Sequence, residues 1–170
     1  GNDIEIQPPK VFALDKLDVN AASKTRSIIM FAGPLIHMMP SFALPAVGGC
    51  KLGSRVVSPH FKALEKLGIN VRETEAEYRI HTRSPRPADI VLYEQSDTGT
   101  AQALIAAARI PGTTLIRFAS ANYAVQDLCC FLGSLGVKID GVGTTTLTVT
   151  GLADINTDAI GEPSEDPTEA

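Results

Sequence analysis

Long apolar runs are missing from this sequence. None approaches the roughly 20 residues a helix needs to cross a bilayer, and the opening residues carry no signal-peptide pattern. Cysteine is scarce as well. Cys50, Cys129 and Cys130 make an odd set with two members adjacent, which argues against a secreted disulfide framework and for a reducing, cytoplasmic compartment. The histidines, His37, His60 and His81, have no metal-ligand spacing with those cysteines, so no metal and no cofactor is assigned. Charge is uneven along the chain. Residues 153–170 hold Asp154, Asp158, Glu162, Glu165, Asp166 and Glu169 without a Lys or Arg. The chain carries −4 in total, which argues against nonspecific nucleic-acid binding. The remainder has 15 basic against 13 acidic residues, a balance that suits phosphorylated ligands without requiring them.

With 44% hydrophobic residues in 170, the chain can bury one ordinary core or two small layered units. Its most chemically loaded stretch is Gly48-Gly49-Cys50-Lys51-Leu52-Gly53-Ser54-Arg55. The two leading glycines permit backbone conformations and a close ligand approach that side chains would block. Lys51 and Arg55 put positive charge near the sulfur, which favours thiolate and an anionic ligand. On local chemistry alone, a glycine-rich connection with an incidental cysteine remains the commoner reading.

Ile4-Glu5-Ile6 reads as the last strand of something begun earlier. A helix pattern runs from Ala21 to about Ile36, with Ile28, Phe31, Ala32 and Leu35 on one face and Asn20 or Ser23 as cap. Arg26 falls in its first turn, where a solvated arginine is the plain reading. Met38-Met39-Pro40 breaks the helix, and Phe42 to Val47 is a strand entering the cysteine loop. Ser58-Pro59 starts the next helix as cap and first residue, Phe61, Leu64 and Leu67 form its stripe, and Gly68 ends it. Ile69 to Glu73 and Glu75 to Thr82 are strands meeting near Thr74, with His81 on the surface.

After the basic, proline-rich Arg83 to Pro87 the pattern starts again. It gives a strand at Asp89 to Tyr93, a helix opened by Ser96 to Thr100 and running over Ala101 to Ile110, and a strand at Thr114 to Phe118. A helix at Val125 to Leu135 and closing strands at Val137 to Ile139 and Thr145 to Thr150 follow. Cys129 and Cys130 read as small apolar core residues of that helix. Leu67-Gly68-Ile69-Asn70-Val71 recurs as Leu135-Gly136-Val137-Lys138-Ile139, and both copies follow the order helix, strand, helix, strand, strand. Hydroxyls and free N–H groups at Ser96-Asp97-Thr98-Gly99-Thr100 form an anion site or a plain cap by Ser96 or Asp97.

Gly48-Gly49-Cys50 with Gly53 and Arg55 resembles the active-site loop of the UDP-N-acetylglucosamine enolpyruvyl transferases. The likeness continues through Lys24-Thr25-Arg26-Ser27, Gly33-Pro34-Leu35, Leu64 to Gly68, Pro111 to Thr114, Asp127, Leu135 to Ile139 and Gly141 to Gly143. It implies an α/β, EPSP synthase-like lobe of repeated βαβαββ units, helices inside and sheets outside. On that reading 1–19 ends a preceding unit, 20–88 and 89–152 are complete units, and the acidic 153–170 leads toward a second lobe.

The implied reaction moves the enolpyruvyl group of phosphoenolpyruvate to the 3'-hydroxyl of UDP-N-acetylglucosamine and releases phosphate, the first committed step of peptidoglycan synthesis. The resemblance makes Cys50 the proton donor and Arg55 the grip on phosphoenolpyruvate. It places Arg26, Val56, Val57, Ser58, Ser96, Asp97 and Thr98 against the nucleotide sugar. The implied partners are these two substrates and the second lobe, with no nucleic acid and no membrane. The sequence departs from the family at Ser58, usually acidic, at Thr98, usually glycine, and at Ala121 to Ala124, usually a charged run. Two alternatives stay open: a non-catalytic nucleotide-sugar-binding paralogue, and the shikimate-pathway enolpyruvyl transferase, which lacks the cysteine loop.

Overall fold

The computed structural model describes residues 12–47, 57–157, 159, 161 and 164. The expected strand at Ile4 to Ile6 lies outside them, as does the loop carrying Cys50, Arg55 and Val56. Two sheets hold the strands. In the first, β1 (Ser41–Pro45), β2 (Ile69–Glu73) and β3 (Glu77–Thr82) run antiparallel in the order β1-β3-β2. In the second, β4 (Asp89–Val91), β5 (Gly112–Arg117), β6 (Lys138–Asp140) and β7 (Thr146–Gly151) lie in the order β4-β5-β7-β6. Strands β5, β7 and β6 repeat the arrangement of β1, β3 and β2, and β4 adds a parallel partner to β5. The repeat read in the sequence is therefore a repeat of topology. Its two glycines, Gly68 and Gly136, have φ of +87° and +93°, the left-handed geometry that ends one helix before each returning strand.

Helices fill the interior. The centre is α4 (Asp97–Ala108), where Ala103, Leu104, Ala106, Ala107 and Ala108 are all buried. It touches α2 (Ala32–Leu35), α3 (Ser58–Lys66), α5 (Tyr123–Ser134), β5 and β7. Alanine is the strongest helix former and has no side chain beyond Cβ, so neighbouring elements come close without loss of helical order. At Gly151 the approach is close: a Cβ there would stand 2.2 Å from the Ile110 carbonyl oxygen. The sheets form the outer layer. On β3, Tyr78 and Ile80 point inward while Arg79 and His81 face out, as expected for a half-buried antiparallel strand.

Several boundaries differ from the sequence reading. The helix expected over Ala21 to Ile36 is three pieces: α1 (Val19–Lys24), a 3-10 segment (Arg26–Phe31) and α2. Thr25 interrupts it with extended backbone (φ −111°, ψ 102°). Its hydroxyl donates to the Ala21 carbonyl at 3.1 Å, the local side-chain bonding that competes with a continuous helix. The cap is Asp18, whose carboxylate accepts from the Ala21 N–H, rather than Asn20 or Ser23. Phe31 is exposed, and Ile29 is buried in its stead. Ser58 does not cap α3; Val57 stands at the N-cap and Ser58 is the first helical residue, with Pro59 next. Strand β1 ends at Pro45, β3 begins at Glu77 and β4 stops at Val91. Strand β2, the end of β3 and the start of β4 stand where the sequence puts them, and the other ends move by one to four residues, as terminal turns and fraying strands do. Only Cys129 of the adjacent pair is buried; Cys130 is exposed, because α5 turns a single apolar stripe of Val125, Cys129 and Leu132 inward.

Candidate functional site

At the N-terminus of α4, Ser96 has extended backbone and its Oγ accepts from the Gly99 N–H at 3.2 Å, so it is the cap. Asp97 has another task. Its carboxylate accepts from the Ser120 hydroxyl and from Asn122 Nδ2, the latter at 2.8 Å. Thr100 Oγ1 donates to the Ser96 carbonyl at 2.8 Å and accepts from the Ser120 N–H at 2.9 Å. These bonds fasten the start of α4 to the connection after β5, and the first turn becomes a fixed wall.

Thr98 stands on that wall with its Oγ1 2.8 Å from His60 Nε2 and 3.3 Å from Ser96 Oγ. His60 is 1% exposed. Burial holds its pKa below the ordinary histidine value, and the Arg26 charge pushes the same way; the Val57 carbonyl and the Glu94 carboxylate pull in the other direction. Among the described residues, no hydrogen bond reaches its Nδ1.

The facing wall comes from the broken helix. Because Thr25 interrupts α1, Arg26 begins a new 3-10 segment rather than continuing a surface helix. It lines a cleft of about 460 Å³ together with Ser96, Thr98 and Pro59. Tyr93, Glu94 and Gln95 complete the lining. Gln95 is held by a 3.0 Å bond from its Nε2 to the Ala119 carbonyl, and Lys62 Nζ lies 5.7 Å from the Tyr93 ring centre. A guanidinium, two hydroxyls and a helix start on one cleft can hold an anion, and Glu94 can accept from a sugar or base.

Of the residues singled out in the sequence, Arg26, Ser96 and Thr98 therefore meet. Asp97 is adjacent but turned to Ser120 and Asn122. Val57 is buried in the core and Ser58 half-buried at the start of α3, next to Pro59. Cys50, Arg55 and Val56 lie outside the described residues, in the segment that rejoins at Val57. The sequence reading missed His60, Tyr93, Glu94 and Gln95. A signal for His60 exists: it shares the i, i+4, i+7 face of Leu64 and Leu67, a polar residue in a buried register. Among the described residues no group of three or more His, Cys, Asp or Glu could hold a metal ion, and no helix is long and apolar enough to cross a membrane.

Residues 16–166 match the family model for EPSP synthase (3-phosphoshikimate 1-carboxyvinyltransferase). A relative from Treponema denticola named UDP-N-acetylglucosamine 1-carboxyvinyltransferase is 38% identical over 91% of this chain and 36% of its own length. One of the same name from Bradyrhizobium diazoefficiens is 39% identical over 89% and 35%. Among solved structures, the enolpyruvyl transferase NikO from Streptomyces tendae superposes with a TM-score of 0.67 at 18% identity, over 80% of this chain and 32% of that one. An EPSP synthase from Acinetobacter baumannii gives 0.53 at 16%, over 78% and 30%. The chain thus spans about a third of the length of these relatives.

Proposed function

The chain belongs to the EPSP synthase family, and we propose that it is the cysteine-bearing part of a UDP-N-acetylglucosamine 1-carboxyvinyltransferase, holding the nucleotide sugar in the cleft between Arg26 and the start of α4. One observation carries this reading: Arg26 lines one cleft at a helix N-terminus with Ser96 and Thr98, which lie about 70 positions further along the chain. The identity to relatives bearing that name supports the choice of acceptor over shikimate 3-phosphate.

In this reading the cleft takes the UDP portion. Arg26 and the Thr98 hydroxyl meet phosphate oxygens, and Glu94 accepts from the sugar or the base. Cys50 and Arg55 act on phosphoenolpyruvate. The thiol gives its proton to the terminal enol carbon, the acceptor hydroxyl attacks the oxocarbenium-like carbon and gives up its own proton, and phosphate leaves as the terminal carbon loses a proton and the double bond re-forms. Arg55 offers its planar fork to the phosphate or carboxylate. The repeat units 20–88 and 89–152, the acidic segment after them, a second lobe and a cytoplasmic setting belong to the same proposal.

Calorimetric titration of the 170-residue chain with UDP-N-acetylglucosamine tests it. Binding is expected, weakened about ten- to a hundred-fold by Arg26→Gln, the loss of a charge-assisted hydrogen bond. No phosphate release from added phosphoenolpyruvate is expected, because the charge-stabilising groups of the other lobe do not face the cleft. Equal binding by the Arg26→Gln variant removes this cleft from the reading, and turnover by the chain alone overturns the need for a second lobe.

A further inference from the structure

His60 is nearly without solvent contact, yet it reaches an exposed hydroxyl on the cleft wall. The Nε2–Oγ1 distance to Thr98 is 2.8 Å, and Nδ1 has no hydrogen-bond partner among the described residues. We infer that His60 is a positioning residue: neutral and protonated on Nε2, it donates to Thr98 Oγ1 and so makes Thr98 a hydrogen-bond donor toward an anionic ligand oxygen in the cleft. This inference rests on the cleft being the nucleotide-sugar site.

The assignment follows from where protons can go. A neutral imidazole carries one N–H. On Nδ1 that hydrogen would be buried with no acceptor in bonding geometry among the described residues, the nearby Val57 carbonyl included, and an orphaned N–H is a rarer and costlier defect than an orphaned lone pair. On Nε2 it has an oxygen at hydrogen-bond distance. Thr98 Oγ1 then accepts from His60, and its own hydrogen must point elsewhere. The Ser96 hydroxyl is a poor recipient, 3.3 Å away and already accepting from the Gly99 N–H. The open side of Thr98 is the cleft. Recognition of an acceptor oxygen at this spot is therefore set by a buried ring that need not touch the ligand.

Two measurements on the 170-residue chain decide it. Imidazole 15N–1H correlation spectra at pH 8 are expected to show His60 as the Nε2-protonated tautomer; the Nδ1-protonated pattern overturns the inference. Titration with UDP-N-acetylglucosamine is expected to weaken about tenfold in Thr98→Val and in His60→Met, with retention in Thr98→Ser and in His60→Gln, whose side-chain amide can replace the Nε2–H donor. The His60→Gln variant guards against His60→Met simply failing to fold. Wild-type affinity in Thr98→Val, or equal weakening in His60→Gln and His60→Met, overturns it. If the wild-type chain takes no nucleotide sugar, the reading of the cleft fails, and the tautomer alone decides the role of His60.

Discussion

At the scale of single residues, the adjacent cysteines show how one helix turn separates two similar side chains. Burial pushes the Cys129 thiol up to about 11, with Cys130 beside it adding in the same direction. At pH 8 such a thiol is thiolate in only about one molecule in a thousand. Cys130 faces solvent. Brief iodoacetamide treatment of the native chain at pH 8, mapped by mass spectrometry, should therefore label Cys130 and spare Cys129. Cys50, with Lys51 and Arg55 beside it in sequence, should react faster than either. Labelling of Cys129 ahead of Cys130 contradicts the packing of α5. Labelling of Cys130 ahead of Cys50 removes the thiolate argument for the glycine loop.

At the scale of elements, two glycines give opposite expectations. Gly151 closes β7 against α4, where an added Cβ would meet the Ile110 and Ala107 carbonyl oxygens at 2.2 and 2.3 Å. Backbone on both sides cannot yield as a flexible side chain would, so Gly151→Ala should cost roughly 3 kcal/mol, the upper end for overpacking. Gly133 lies within α5 and a Cβ there meets nothing within 4 Å. Gly133→Ala should stabilise by about 0.5–1 kcal/mol through helix propensity and a less free unfolded chain. Urea midpoints of the two variants check both signs.

The part of the fold legible in the sequence also lies at the scale of elements. Apolar periodicity and glycine stops gave the repeat, since Gly68 and Gly136 mark equivalent helix ends and β2 keeps the boundaries its alternation implies. The break at Thr25 was not legible, because it depends on side-chain bonds to the helix's own carbonyls rather than on any breaker residue. That break sets Arg26 at the cleft, so the site was seen as separate residues and not as an assembly. His60 is silent in the sequence for a related reason. A buried histidine next to an apolar stripe has meaning only once Thr98, 38 positions away, is known to face it.

At the scale of the whole chain, the central helix is tied to its neighbours by two histidines. His60 of α3 reaches Thr98 at the start of α4, and His37, just after α2, bonds through Nε2 to the Ala106 carbonyl near the end of α4 at 2.9 Å. Both have pKa values below the ordinary 6.5, each chiefly through burial, aided by the charge of Arg26 at His60 and of Arg109 at His37. The folded chain thus favours neutral rings. Above pH 6.5 both states carry them neutral and nothing is lost. As pH falls below 6.5 the unfolded chain takes up protons that the folded chain resists, so stability declines until the lowered folded values are reached. Between pH 7.5 and 5.5 the loss should be at most about 1.4 kcal/mol per histidine. Asp89 and Asp127, held below 3.8 by hydrogen bonds from Arg117 and Ser164, lose their contributions only at lower pH and leave this window clear. Urea unfolding at closely spaced pH values should show the decline, reduced by His37→Gln and again by His60→Gln, since glutamine keeps a donor at each bond without titrating. A slope unchanged in the double variant assigns the proton uptake to other groups and removes the histidine clamp on α4.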